Sequence, residues 1–207
     1  MSHEIIRNLK SLKLHGMAHT WPELTAHHRA ADFDAEKLML ELIRSEMAER
    51  EVRSVSYHMS VARFPAHRDF NGFNFDEARI DETIMTELRT LAFLNAAHNL
   101  VFIGGPGTGK THLATALGVE AIRQHKRVRF FSTVELVNAL EKEKTAGKQG
   151  QIALRLASTD LVILDELGYL PFSQVGGSLL FHLLSKLYER TSVAITTNLS
   201  FAEWPKV

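Results

Sequence analysis

Four short apolar runs interrupt a chain whose other apolar positions mostly recur every three or four residues: LVFI at 100 to 103, RVRFFS at 127 to 132, LVIL at 161 to 164 and SVAITT at 192 to 197. They are rich in branched and aromatic side chains and show little overall alternation, the pattern of strands buried on both faces. Helical segments near 110 to 125, 133 to 144 and 176 to 190 separate them. This rhythm predicts an α/β fold, a parallel sheet between two layers of helices.

The first seventy or so residues show no strand pattern and read as helices. Around LELIRSEMAEREV, Leu38 pairs with Leu42, and Met39 with Ile43 and Met47, at helical spacing. Asp34 is placed to cap that helix. Upstream, KLHGMAHTWPEL predicts two short helical pieces broken near Gly16 and at Trp21-Pro22. ARFPAHRDFNGFNF, with Pro65, Gly72 and alternating aromatics, reads as an extended linker docked by Phe70, Phe73 and Phe75 and in position to wall a base pocket. The expected organisation is therefore a small helical domain over 1–68 and an α/β domain over 69–207. FDEARIDETIMTELRTLAFL reads as one helix.

Composition narrows the classes. At 207 residues, with 45% hydrophobic and 23% charged residues, the chain is of ordinary globular type and far from the disordered regime. No apolar run approaches a membrane span and MSHEIIRNLK lacks the apolar centre of a signal peptide, so no membrane partner and a cytoplasmic location are expected. The absence of Cys excludes disulfides, thiolate catalysis and cysteine zinc sites. Lys plus Arg equals Asp plus Glu at 24 each, so whole-chain charge gives no support to nucleic-acid binding, though a basic patch can form locally.

Arg44, Arg50, Arg53, Arg63 and Arg68 interleave with glutamates and read as salt-paired solvated faces. Lys142, Lys144 and Lys148 lie around AGKQG, whose glycines suggest a mobile loop, and Lys144 and Lys148 are candidates for phosphate-backbone contact. His15 and His19 are four apart, but no acidic third ligand accompanies them.

The strongest chemistry lies between the strand LVFI and the helix beginning HLATAL. Gly104, Gly105, Pro106, Gly107, Thr108, Gly109, Lys110 and Thr111 fit the P-loop pattern in full, and His112 follows directly. Glycines let the backbone curl its N–H groups toward phosphate oxygens, and the following helix adds its positive end. Lys110 is expected to reach the β and γ phosphates of ATP, and Thr111 to offer its hydroxyl to Mg²⁺. LVILDE delivers Asp165 and Glu166 at a strand's C-terminal end, where ligands of parallel sheets bind. Asp165 is expected to hold Mg²⁺ through water, and Glu166 to polarise the attacking water. Asn198, ending SVAITTN, is positioned to contact the γ phosphate or that water. The three motifs in this order describe the ATPase branch with a strand inserted between the P-loop strand and the acidic strand.

Further segments match beyond the general pattern: GGPGTGKTHLATALG at 104 to 118, LVILDELGYLPFS at 161 to 173, LYERTSVAITTNLSFAEW at 187 to 204, and the N-terminal LKLHGMAHTWPEL. On these the chain resembles the IstB-type transposition helpers, close to the DnaC-like helicase loaders, over nearly its whole length. The resemblance implies a three-layer P-loop fold of AAA+ type and an ATP-dependent, DNA-binding homo-oligomer. Such a protein captures duplex target DNA and delivers it to the transposase of the same insertion sequence; the alternative is a DnaC-like loader of a replicative helicase. It also implies that Asn198 is the sensor residue and that the helical module makes oligomer or partner contacts. Members of the family continue past SFAEWPKV with a further strand and an Arg that reaches a neighbouring ATP. The α/β domain is thus expected to be C-terminally incomplete, with an open P-loop strand and weak hydrolysis. Arg190 is the nearest substitute and is expected instead to cap its helix's C-terminal carbonyls.

Overall fold

Leu161, Val162, Ile163 and Leu164 are essentially inaccessible to solvent, because β3 (Leu161–Leu167) is flanked by a strand on each side. In this computed structural model, which describes residues 2–27, 34–78, 80–169 and 172–206, β1 (Leu100–Ile103), β2 (Val128–Ser132) and β4 (Ser192–Thr197) complete a parallel sheet in the order β1-β4-β3-β2. Leu170 and Pro171 of the GYLPFS segment lie outside the described residues.

Three helices cover the sheet: α7 (Lys110–Arg123), α8 (Thr133–Thr145) and α10 (Gln174–Leu187), with the short α9 (Gln151–Leu156) between the last two. Val162, Leu164, Val193 and Ile195 share one apolar core with Leu136, Val137 and Leu140 of α8 and Leu180, Leu183 and Leu187 of α10. The alternate residue Ile163 points the other way, onto α7 at Gly118. This alternation makes three layers. Alternate strand residues feed opposite helical layers, which is why the strands read as continuous apolar runs.

The N-terminal helices are α1 (Ser2–Ser11), α2 (His15–His27) and α3 (Ala35–Ala62). Asp34 caps α3 as expected, its Oδ1 accepting from the N–H groups of Glu36 and Lys37. The expected breaks at Gly16 and Pro22 do not occur, for α2 runs through both and the interruption lies at 12 to 14. Gly16 answers a packing need: a Cβ there would stand 2.5 Å from the Ser45 carbonyl oxygen of α3. The glycine also lets the buried Glu46 carboxylate accept from the N–H of Gly16 at 2.8 Å and of Met17 at 3.3 Å.

The predicted single helix over FDEARIDETIMTELRTLAFL is instead three: α4 (Phe75–Ala78), α5 (Glu82–Arg89) and α6 (Ala92–Asn95). Asp81 restarts the chain by accepting from Thr83 N–H, and Leu91 turns it with φ 59°. Periodicity is blind to both local events. The linker behaves as expected, with Phe70 buried after Asp69 opens a single 3-10 turn over Phe70–Gly72.

By internal packing the chain divides into Met1–Tyr57 and His58–Val207, within α3 and ahead of the position expected from linker composition. Ala62 is fully buried and Phe64 meets Phe130 edge to face at 6.2 Å, so the last turn of α3 packs as part of the second unit. The turn at AGKQG is pinned by Glu143, whose carboxylate accepts from Gly150 N–H and Ile152 N–H, and Lys144 and Lys148 project into solvent from it. Arg190 does not cap α10 with its side chain; the backbone N–H groups of Tyr188, Arg190 and Thr191 satisfy those carbonyls. Among the described residues no helix is long and apolar enough to cross a membrane.

Candidate nucleotide-binding site

β1 ends at Ile103, and its line continues for one more bond, from Gly104 N–H to Thr197 O at 3.2 Å. The chain then curls through Gly107 at φ 76° and Gly109 at φ 85°, left-handed conformations that cost side-chain-bearing residues roughly 1–2 kcal/mol, and enters α7 at Lys110. Gly109 is required twice over. A Cβ there would stand 2.5 Å from Cε2 of Phe73, whose ring lies on the loop from the linker side.

Inside the curl, Lys110 Nζ donates to Gly105 O at 2.7 Å and Thr108 Oγ1 donates to the same carbonyl at 2.9 Å. Gly104 and Gly105 thus build the loop, while Pro106 to His112 line a cavity of about 850 Å³. That volume lies within the roughly 300–1,000 Å³ of small-molecule sites. His112 lines it too but also ties down the linker, its Nε2 2.8 Å from Asp69 O and its ring edge-on to Phe73 at 5.1 Å.

Asp165, Glu166 and Asn198 line the same cavity, so residues singled out from three separate motifs border one space. Asp165 is buried, and its Oδ1 accepts from Thr111 Oγ1 at 2.8 Å and from Thr196 Oγ1 at 2.5 Å. Thr133 Oγ1 donates to the Asp165 backbone carbonyl at 2.7 Å. Glu166 is exposed to the cavity at φ 61°, an uncommon conformation for a residue with a side chain, where the β3–β4 register shifts between Leu164 and Leu167. That bulge turns Glu166 out of the sheet. Asn198 is exposed one residue beyond β4.

Sequence reasoning missed Thr196. It is buried, and its hydroxyl both donates to Asp165 and accepts from Glu166 N–H at 2.9 Å. Two adjacent threonines in an apolar strand hint at an inward polar need, but only the register of β4 against β3 shows which acid they serve. Arg63, Arg68, Phe131 and Tyr169 also line the cavity and were not assigned to it from sequence.

The donor set suits Mg²⁺. Thr111 Oγ1 and Asp165 Oδ1 are hard oxygens brought together from α7 and β3, with no nitrogen or sulfur ligand between them.

The structure resembles the crystal structure of the DnaC helicase loader, with a TM-score of 0.54 and 24% identity over 70% of this chain and 80% of that one. It likewise resembles AMPPCP-bound DnaA from Aquifex aeolicus, with a TM-score of 0.54 and 23% identity over 66% and 44%. These neighbours share the fold, a parallel sheet between layers of helices. By sequence the chain is 32% identical over 203 residues to the insertion sequence IS21 ATP-binding protein of Pseudomonas aeruginosa, covering 98% of this chain and 77% of that protein. It is 29% identical over 197 residues to the IS5376 ATP-binding protein of Geobacillus stearothermophilus, covering 95% and 78%. Residues 7–207 match the family model described as IstB-like ATP binding protein, and the chain belongs to that family.

Proposed function

We propose that this chain is an ATP-hydrolysing, DNA-binding helper of transposition, working in the cytoplasm, that assembles as a homo-oligomer on duplex target DNA and delivers it to the transposase of its insertion sequence. The observation that carries the ATPase part is the 2.8 Å bond between Thr111 of the P-loop helix and Asp165 of β3, with Glu166 next in line on the same cavity. Kinship with insertion-sequence ATP-binding proteins supports the transposition part.

In this reading the loop amides and the N-terminus of α7 hold the phosphates, and Lys110 moves from Gly105 O to the β and γ oxygens. Thr111 and Asp165 hold Mg²⁺, which when bound neutralises charge developing on those oxygens. Glu166 accepts a proton from the attacking water, and Asn198 orients that water or the γ phosphate. Phe73, packed on Gly109 and His112, walls the base. The N-terminal unit, Met1–Tyr57, provides the oligomer or partner surface, consistent with Met39, Ile43 and Met47 being 54%, 40% and 65% exposed along one side of α3.

Sizing the chain with duplex DNA, with and without ATP and Mg²⁺, tests the reading. A large nucleoprotein species that needs both is expected. A protein that binds ATP yet stays monomeric and off DNA overturns it, and stable capture of a hexameric replicative helicase instead of DNA assigns the loader role.

A further inference from the structure

The chain from Arg63 to Asp69 lies along α7 as a strap anchored at both ends. At one end Phe64 meets Phe130 of β2 edge to face at 6.2 Å and rests on α7, where a Cβ on Gly118 would stand 2.8 Å from its ring. At the other, the Asp69 backbone carbonyl lies 2.8 Å from His112 Nε2, and its carboxylate is 3.7 Å from the Arg123 guanidinium. Pro65 restricts the backbone between the anchors. The strap's course over the P-loop helix is thereby fixed.

Two arginines ride on this strap, and both line the cavity that Lys110, Glu166 and Asn198 line. They belong to different ends of it. Arg63 adjoins Phe64 and so β2, at the opposite edge of the sheet from the P-loop strand. Arg68 adjoins Asp69 and so the first turn of α7, where Lys110 and Thr111 stand. The interleaved pattern of the sequence reads these arginines as salt-paired, and Arg50 and Arg53 are paired with Glu46 and Glu49. Arg68 departs from that pattern, with no hydrogen bond or ion pair among the described residues.

Charge around the cavity gives Arg68 a use. Arg63, Arg68 and Lys110 line it against the carboxylates of Glu135, Asp165 and Glu166, so without the strap a triphosphate would enter a net-negative site. Glu135 opens α8 directly after β2 and thus belongs to the Arg63 end, while Asp165 is engaged by Thr111 and Thr196. A planar guanidinium fork matches phosphate oxygens better than any other cationic side chain.

We propose that Arg68 contacts the terminal phosphate of the bound nucleotide from within the same chain, and so makes the site prefer a triphosphate to a diphosphate. Loop amides and the α7 N-terminus serve the inner phosphates, and Lys110 bridges the two outer ones. Arg68 adds a second cation for the phosphate that only ATP carries. The proposal rests on the ATP reading of the previous section and is independent of the DNA and transposase parts.

Affinities of the full chain for ADP and for AMPPCP, which is not hydrolysed, are measured by titration calorimetry with Mg²⁺. High salt screens attraction through solvent and leaves direct contacts to dominate. Arg68→Gln is expected to lose about ten-fold in AMPPCP affinity with ADP affinity nearly unchanged, and retained ADP binding shows that the variant is folded. Arg63→Gln is expected to lose less. An unchanged AMPPCP affinity in Arg68→Gln overturns the proposal. So does an equal loss for both nucleotides, which would place Arg68 at an inner phosphate, at the base or in support of the strap. A larger selective loss in Arg63→Gln overturns the assignment to Arg68. If Arg68→Gln does not fold, Arg68→Lys carries the test: a smaller loss confined to AMPPCP is expected, and no selective loss overturns the contact. A wild-type chain that binds neither nucleotide overturns the ATP reading and this contact together, whereas binding of both with no selective loss in the variants overturns the contact alone.

Discussion

Thr196 Oγ1 donates a 2.5 Å hydrogen bond to Asp165 Oδ1 and accepts one of 2.9 Å from the backbone N–H of Glu166. One buried hydroxyl on β4 therefore sets the carboxylate proposed to hold Mg²⁺ and the backbone that aims the proposed base. Glu166 needs such a restraint, since its φ of 61° is held by context rather than by intrinsic preference.

Thr196→Val preserves shape and removes the hydroxyl. A hydrogen bond to a charged group contributes about 1.5–3 kcal/mol, so ATP turnover is expected to fall roughly ten- to hundred-fold. The apparent Mg²⁺ requirement should rise, while ATP affinity without metal changes little. Thr196→Ser should recover most of the turnover. Steady-state hydrolysis across a Mg²⁺ series measures this, and an unchanged Mg²⁺ requirement in the Val variant would reduce Thr196 to a packing residue.

Glu166→Gln tests the proposed base itself. The side chain is exposed to the cavity and turned out by the bulge in β3, so the substitution disturbs no core contact. Turnover is expected to drop about 10²- to 10⁴-fold with ATP affinity retained. Nucleotide binding and phosphate release measured on the same preparation separate the two effects, and undiminished release removes Glu166 from its role.

The contrast between Glu166 and Thr196 shows what a sequence makes legible. Asp165 and Glu166 can be read because two acids ending an apolar run break its composition, and the P-loop can be read because glycines at fixed spacing have few other uses. Thr196 is a β-branched residue in a strand and looks like any other until the β3–β4 register places it against Asp165. The same limit explains the helix boundaries. Asp81 and Leu91 divide an apolar period that looks continuous, and Gly16 lies within a helix because α3 comes close at Ser45.

Gly109 and Phe73 give a steric test of the linker's role. Gly109→Ala meets a left-handed φ of 85° and the Phe73 ring together, so nucleotide affinity is expected to be lost within the measurable range. Adding Phe73→Ala removes the clash but not the backbone cost of roughly 1–2 kcal/mol, so only part of the affinity should return. Phe73→Ala alone should weaken ATP more than inorganic triphosphate if the ring walls the base. Titrations of both ligands against the three variants check this, and equal losses for both would place Phe73 in loop support only.

Glu46 is expected to contribute to the pH dependence of the N-terminal helices. Burial is the largest influence on its carboxyl and pushes the pKa up. The Arg50 hydrogen bond at 2.7 Å, the N–H groups of Met17 and Gly16, and the Arg50 charge together outweigh it, leaving the pKa below the ordinary 4.5. A carboxyl depressed on folding stabilises the fold above its unfolded pKa, and that contribution disappears as pH falls through the folded value. The helical signal of the wild-type chain should therefore melt at a steady temperature down to about pH 5 and at falling temperature below about 4.5, in the part traceable to this group. Glu46→Gln should be less stable at neutral pH by about 1.5–3 kcal/mol, because charge-assisted bonds to two amides and Arg50 are weakened, and its melting temperature should fall less on acidification. Circular dichroism melts from pH 7 to 3 measure both. Parallel acid profiles for the two proteins would mean that other carboxylates control the transition and that Glu46 acts as a neutral cap.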